Sequence, residues 1–364
     1  TVAEIGDVVF AVDDQTVALH LHAPRITFID QLMTLGIVPH AERDNGYSEQ
    51  YGRHPLGSGP YQLMEWQEGE QLIVERNPYF YGPAPAFDRL IFLFTNEDAT
   101  LSAAHAGQVD IASIPPALAA NVPGHMQRVT MESVDNRGIL FPMQPVNGEH
   151  AASGAPIGND VTADLAIRQA INLAVDRKTL VEVALHGYGR PAYGPADGLP
   201  WSSEEERVEA PNIARAEKLL DAAGWNLRDD GLRYKDGLPA RFRLTYPSSD
   251  TTRQLLAEVS AEMVRPLGIE MQPTGRHWDE IQREALHQDA ILFGFGSRSP
   301  QEVYYLFHSQ HAGNGFYNSG LYANAEVDTY LDAAQAAKSI EEANQYWRAA
   351  QWDGTTGYGV RGDS

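Results

Sequence analysis

From about residue 163 to residue 296 the chain switches repeatedly between the two hydrophobic periods. "ADLAIRQAINLAVDRKTLVEVALHG" (163–187) has apolar positions at Leu165, Ala166, Ala170, Leu173, Ala174 and Leu180. That is helical spacing, with Gly187 as its stop. "NIARAEKLLDAAGW" (212–225) reads as a second helix ended at Gly224. "RFRLTYP" (241–247) is a strand, 251–268 a helix, "IEMQPTGR" a strand, "WDEIQREALHQ" a helix and "DAILFGFG" a strand. Strands separated by helices return to one sheet in parallel, because a parallel crossover needs the length of a helix. The expected body is therefore α/β with a mostly parallel sheet.

The chain before it has a different character. "TVALHLHAP" (16–24) alternates like a half-buried strand. "PLGSGPYQLMEW" (55–66) is a turn and then a strand, and "EQLIVERNP" (70–78) is a strand closed by Asn77-Pro78. "RLIFLF" (89–94) is a further strand, followed by a helix starting near Asp98, a glycine stop and a short strand in "QVDIA". "DNRGILFPMQP" (135–145) begins a new strand. A length of 364 residues allows two domains. The reading is two lobes: 1–133 as part of a strand-rich first lobe, 134–350 as an α/β second lobe, and 351–364 as the start of a return to the first.

Composition removes several classes. The chain has 49 acidic against 27 basic residues and a formal charge of -22, which disfavours nucleic acid and anionic membrane surfaces as partners. It has no cysteine, so thiolate metal sites, cysteine nucleophiles and disulfides are absent. That leans weakly toward an oxidising compartment. No apolar run approaches the roughly 18 residues of a membrane span, and no leader peptide is visible.

In open α/β sheets, ligands bind where strands end. "FGFGSRSPQEVYYLF" (293–307) follows the apolar strand "AILF" and so falls at such an end. It lacks G-x-x-x-x-G-K-[ST] and G-x-G-x-x-G, which argues against a nucleotide cradle. "FHSQH" puts Ser309 beside two histidines, but no G-x-S-x-G elbow exists, so hydrolase chemistry is disfavoured. The acidic runs read as solvated faces. His308 and His311 lie three apart and are candidate metal ligands; His20 and His22 share a strand face and are weaker ones. Three arginines sit at element ends: Arg76, Arg137 and Arg298. Each alone is most simply a surface or structural residue. Converging on a cleft, their planar forks would hold carboxylates.

The motifs "GSGPYQLMEWQEGEQLIVERNPYFYG", "AGQVDIA", "DLAIRQAINLAVDRKTLVEVALHGYGRPA" and "AEKLLDAAGW" with "DDGLRYKDGLP" resemble the extracytoplasmic solute-binding proteins of peptide and nickel ABC importers, solute-binding family 5. The resemblance covers most of residues 8–350, in order. It implies a two-lobed periplasmic-binding-protein fold (type II-like, cluster C) with a hinge, closing on a ligand without catalysis. It also implies truncation at both ends relative to the family. Peptide-binding members carry an aspartate for the ligand's α-ammonium in a pattern like G-W-x-x-D…D-P; here the place reads "GFGSRSP", with Arg298 where the aspartate would be. The resemblance is nearer to the nickel and metallophore subgroup: Arg76 matches an arginine that such members use, Phe295 falls where they have tryptophan, Tyr304 and Tyr305 fit their "YY", and His311 is near their histidine. It implies a ligand of Ni2+ wrapped in histidine or an opine-type chelator, with no prosthetic group. It further implies membrane permease subunits as partners, a monomer, and a periplasmic or lipid-anchored location. A peptide binder using another amine anchor, Asp289 or Glu302, is the alternative within the same fold.

Overall fold

A computed structural model describes residues 5–39, 49–203 and 207–353. In chain order it opens with the antiparallel pair β1 (Ile5–Asp13) and β2 (Thr16–Leu21) and two short helices, α1 (Phe28–Leu32) and α2 (Glu49–Arg53). Next come β3 (Tyr61–Gln67), β4 (Gln71–Arg76) and β5 (Arg89–Leu93), an antiparallel sheet in that order, and α3 (Glu97–His105). The Asn96 side chain accepts from the Ala99 N–H and starts α3, two residues before Asp98. The strand expected in "QVDIA" does not form. Gly107 turns the chain at a φ of 68°, and Ile111 is left exposed with no strand beside it among the described residues.

β6 (Gly138–Leu140) is short, closed by Pro142. The helix expected over 163–187 is two helices, α4 (Leu165–Ala174) and α5 (Arg177–Ala184). Val175 is extended, and the Asp176 side chain accepts from the Lys178 N–H, so a new helix begins where the apolar spacing alone continues. α6 (Ile213–Ala222) ends at Gly224 with a φ of 86°. A small meander follows, β7 (Asn226–Leu227), β8 (Arg233–Lys235) and β9 (Leu238–Pro239). Then β10 (Arg241–Pro247), α7 (Thr251–Val264), β11 (Glu270–Arg276), the turn α8 (Trp278–Glu280) running into a π-turn at Ile281–Ala285, and β12 (Ala290–Phe293) complete the expected alternation. α9 (Gln301–Phe307), α10 (Ala325–Ala336) and α11 (Ile340–Gln351) close the described chain.

The main sheet has the order β11-β10-β12-β6. β10 pairs in parallel with both neighbours, and β12 pairs antiparallel with β6. The mostly parallel α/β body is thus observed. Its core packs Ile167, Leu220, Trp225, Leu244, Val264 and Ile269, all fully buried. A second core gathers Trp347, Val327 and Leu331 between α10 and α11, and a third holds Ile281, Ala285, Leu286 and Ile291 under Trp278 and Phe293.

The contacts divide the chain into two compact units. One takes in Thr1–Asp30, Pro115–Ala120 and Arg128–Ser364, and the other Gln31–Ile114 and Asn121–Gln127. From residue 354 on, the expected return segment 351–364 lies outside the described residues. Among the described residues, no helix is long and apolar enough to cross a membrane.

Candidate ligand-binding site

β12 places the loop 294–299 at its carboxyl end, as the sequence leads one to expect. The two glycines of "FGFG" answer a close approach. A Cβ on Gly294 would meet the Asn136 carbonyl oxygen at 2.2 Å, and one on Gly296 would meet the Asp135 Cα at 2.5 Å. The segment before β6 therefore runs against this loop, and the Asn136 N–H donates to the Phe295 carbonyl at 2.8 Å. No phosphate needs to be invoked for these glycines.

The loop is tied by its polar residues. The Glu302 carboxylate accepts from the Gly296 N–H at 3.3 Å and the Ser297 N–H at 3.1 Å. The Ser297 hydroxyl accepts from the Ser299 N–H at 3.0 Å, and the Ser299 hydroxyl donates to Asp30 Oδ2 at 2.7 Å. Burial pushes the Glu302 carboxyl above the usual range, against the lowering effect of its two N–H donors; Asp135 adds to the rise. Arg298 lies between the two tied residues. It is exposed, and it has no hydrogen bond or ion pair among the described residues.

An aromatic wall adjoins the loop. The Phe295 ring stands 4.8 Å from that of Phe293 and stacks at 6.3 Å on Tyr317. Tyr317 contacts Tyr305 at 5.1 Å, and Tyr305 meets His311 edge-on at 4.9 Å. Trp278 packs edge-on against both Phe293 and Phe316 from behind, at 5.6 Å each. Burial raises the Tyr317 hydroxyl, and the Glu302 charge adds to it, so the phenol stays protonated at neutral pH.

Arg137, Phe295, Arg298, Tyr305 and His311 thus share one neighbourhood. Arg137 is partly engaged, by Asp135 Oδ2 at 2.6 Å and the Asn136 carbonyl at 2.9 Å. Three other candidates are committed elsewhere. Arg76 belongs to the other unit, where it donates to the Phe87 and Ala86 carbonyls and pairs with Asp88 at 2.9 Å. Tyr304 is buried; its hydroxyl donates to Asp332 Oδ1 at 3.0 Å and accepts from the Gln310 amide at 2.6 Å. Burial and Asp332 raise its ionisation far above the usual phenol range. His308 is also buried, and its Nδ1 accepts from the Gln310 N–H at 3.1 Å as a cap on the turn at 309–311. The His308 and His311 rings lie 6.4 Å apart. Among the described residues no group of three or more histidine, aspartate or glutamate side chains is arranged to hold a metal ion.

Asp289 is spent as well. It is buried at the opposite end of β12 from the loop, with a bidentate pair to Arg243 at 2.9–3.0 Å and the Thr245 hydroxyl at 2.9 Å. Tyr317 escaped the sequence reading. It is brought to the loop by a turn beyond α9, and nothing in its local sequence marks it as part of the wall.

A mostly parallel α/β body with a loop site at a strand's carboxyl end is the architecture of two-lobed periplasmic binding proteins. The chain belongs to the bacterial extracellular solute-binding proteins, family 5, whose family model matches residues 3–317. It is 35% identical to protein XP55 of Streptomyces lividans over 93% of this chain and 61% of that protein. It is 27% identical to the oligopeptide-binding protein AppA of Bacillus subtilis over 86% of this chain and 56% of that one. The chain thus spans about three fifths of the length of these relatives. Among solved structures it resembles NikZ from Campylobacter jejuni in complex with Ni(L-His), with a TM-score of 0.84 and 25% identity over 95% of this chain and 69% of that one.

Proposed function

We propose that this protein is the extracytoplasmic solute-binding component of an ABC importer and that it captures a metal chelate, nickel held by a small carboxylate-bearing chelator. The observation that carries this reading is Arg298: an exposed guanidinium without a partner among the described residues, on the loop whose Phe295 joins an aromatic wall. A carboxylate would be held there and an ammonium repelled. Tyr317, Tyr305 and His311 would face the rest of the ligand, and imidazole and carboxylate donors suit nickel(II). The metal is cargo, and the protein carries no resident group. NikZ, with its Ni(L-His), supports the same reading.

In this reading no group reacts. Ligand contacts favour a closed form over an open one, and the importer's membrane subunits recognise the closed form. The protein acts as a monomer in the periplasm or tethered by a lipid.

A peptide ligand is the second reading, favoured by the relationship to AppA. It needs an acidic anchor near the loop. Asp289 is already paired with Arg243, and both Glu302 oxygens already accept backbone N–H groups of the loop.

Calorimetric titration of the full-length protein separates the readings. Nickel alone, nickel with excess L-histidine, and a small peptide library are titrated in parallel. Binding is expected only with nickel and chelator together. Arg298→Asp is expected to weaken it by about a hundredfold or more, the scale for reversing one charge of a close pair. Tight binding of metal-free peptides that survives Arg298→Asp would sink the chelate reading.

A further inference from the structure

The loop that carries Arg298 is fixed by a carboxylate on each flank. Glu302, in the first turn of α9, takes two successive N–H groups, Gly296 at 3.3 Å and Ser297 at 3.1 Å, one on each oxygen. Asp30, on α1, takes the Ser299 hydroxyl. The arginine itself touches neither.

We propose that Glu302 is a positioning residue for the ligand site: its carboxylate holds the Gly296–Ser297 turn, and that turn sets where Arg298 meets an anionic ligand. The proposal rests on the reading of Arg298 as anchor. It gives Glu302 a role distinct from that of an amine anchor: its two oxygens are turned to the loop's own N–H groups.

The groups around Glu302 fix the direction of its pH response. Asp135 faces it from the segment before β6 and is itself paired with Arg137; Tyr317 faces it from the turn after α9 and is a neutral phenol; Asp30 reaches the loop through Ser299. Burial favours the neutral acid, so Glu302 takes its proton above the ordinary value of 4.5. A carboxylic acid keeps one accepting oxygen, and its O–H would face an N–H donor. One of the two loop bonds is then lost, and the turn loosens.

The test has a ligand-free arm and a ligand arm. In NMR spectra of the ligand-free full chain, the Gly296 and Ser297 amide shifts are expected to titrate together with the Glu302 carboxyl. In Glu302→Gln that titration is expected to vanish. The wild-type pH series needs no variant, so it decides the matter even if Glu302→Gln fails to fold. In the ligand arm, Glu302→Gln is expected to weaken Ni–L-histidine binding about tenfold, the scale of one charge-assisted bond. The same change in an Arg298→Ala background is expected to cost nothing further. Amides that ignore the Glu302 titration overturn the proposal, and so does an equal loss of affinity with Arg298 already gone. Should the wild type bind neither chelate nor peptide, the Arg298 reading fails by itself. A turn that still titrates with Glu302 would keep the clamp, and one that does not would remove it.

Discussion

The two compact units spend their apolar residues in opposite ways. The unit that holds the main sheet has three buried clusters among the described residues, with Trp225, Trp347, Ile167, Leu220 and Leu331 fully covered, while Leu165, Leu227 and Ile340 stay on its surface. The unit built on β3, β4 and β5 leaves Trp66, Ile91, Phe92, Leu93 and Phe94 exposed, and Tyr79 and Tyr81 are 89% and 88% accessible. Its order comes from sheet hydrogen bonds, the Arg76 latch on the 86–88 turn, and an Arg53 guanidinium 4.9 Å over the Trp66 ring. Three strands with open faces are marginal alone. The loop 294–299 is attached to the α/β unit, the one with the buried cores.

The comparison can be broken by substitution. Trp347 is completely buried in the helical core of the first-named unit. Trp347→Ala is expected to cost about 3–5 kcal/mol, by transfer and cavity together, read from the urea midpoint. A loss below about 1 kcal/mol would mean that this core is looser than its burial implies.

A more moderate effect comes from His287. It is buried in the same unit, its Nδ1 donates to the Ser319 carbonyl at 2.9 Å, and its Nε2 has no hydrogen-bond partner among the described residues. Burial lowers its pKa below 6.5, with the Ser319 bond opposing, so the folded state prefers the neutral ring. The unfolded chain then binds a proton first on acidification. The stability from this group is complete above about pH 6.5 and is lost as the pH falls toward the lowered folded value. Melting temperatures across this range should decline in the wild type and decline less in His287→Asn; equal slopes would remove His287 as the cause.

The smallest effect belongs to the open sheet. Ile91→Thr on β5 is expected to change stability by no more than about 0.5 kcal/mol, since little burial is lost. A cost near that of a core position would show that this face is covered in solution, and the contrast between the units would shrink.

Much of the architecture was legible in the chain. Helix and strand patterns between 212 and 296 led directly to α6, β10, α7, β11 and β12: the helices bury one face at helical spacing, and β12, covered on both faces, reads as a short continuous apolar run. The break between α4 and α5 was hidden: apolar spacing runs through it, while the cap at Asp176 is two local hydrogen bonds, from the Lys178 N–H and the Thr179 hydroxyl. "QVDIA" has a strand's residues, and among the described residues no neighbouring strand pairs with it.

The site divides along the same line. Order in sequence placed the 294–299 loop, with its one positive side chain Arg298, at the end of a strand. Which arginine is at liberty was decided only in three dimensions. Arg76 and Arg298 look alike in sequence, but carbonyls ten and eleven residues away occupy the first, and the second has no hydrogen bond or ion pair among the described residues. Gly294 and Gly296 match no nucleotide fingerprint in the sequence, and their reason appears only where residues 135–137, more than 150 positions earlier, run against them. Local pattern fixes the period and the cap because those interactions span a few residues. Partners distant along the chain are chosen by packing, and the freedom of a charge is what packing leaves over.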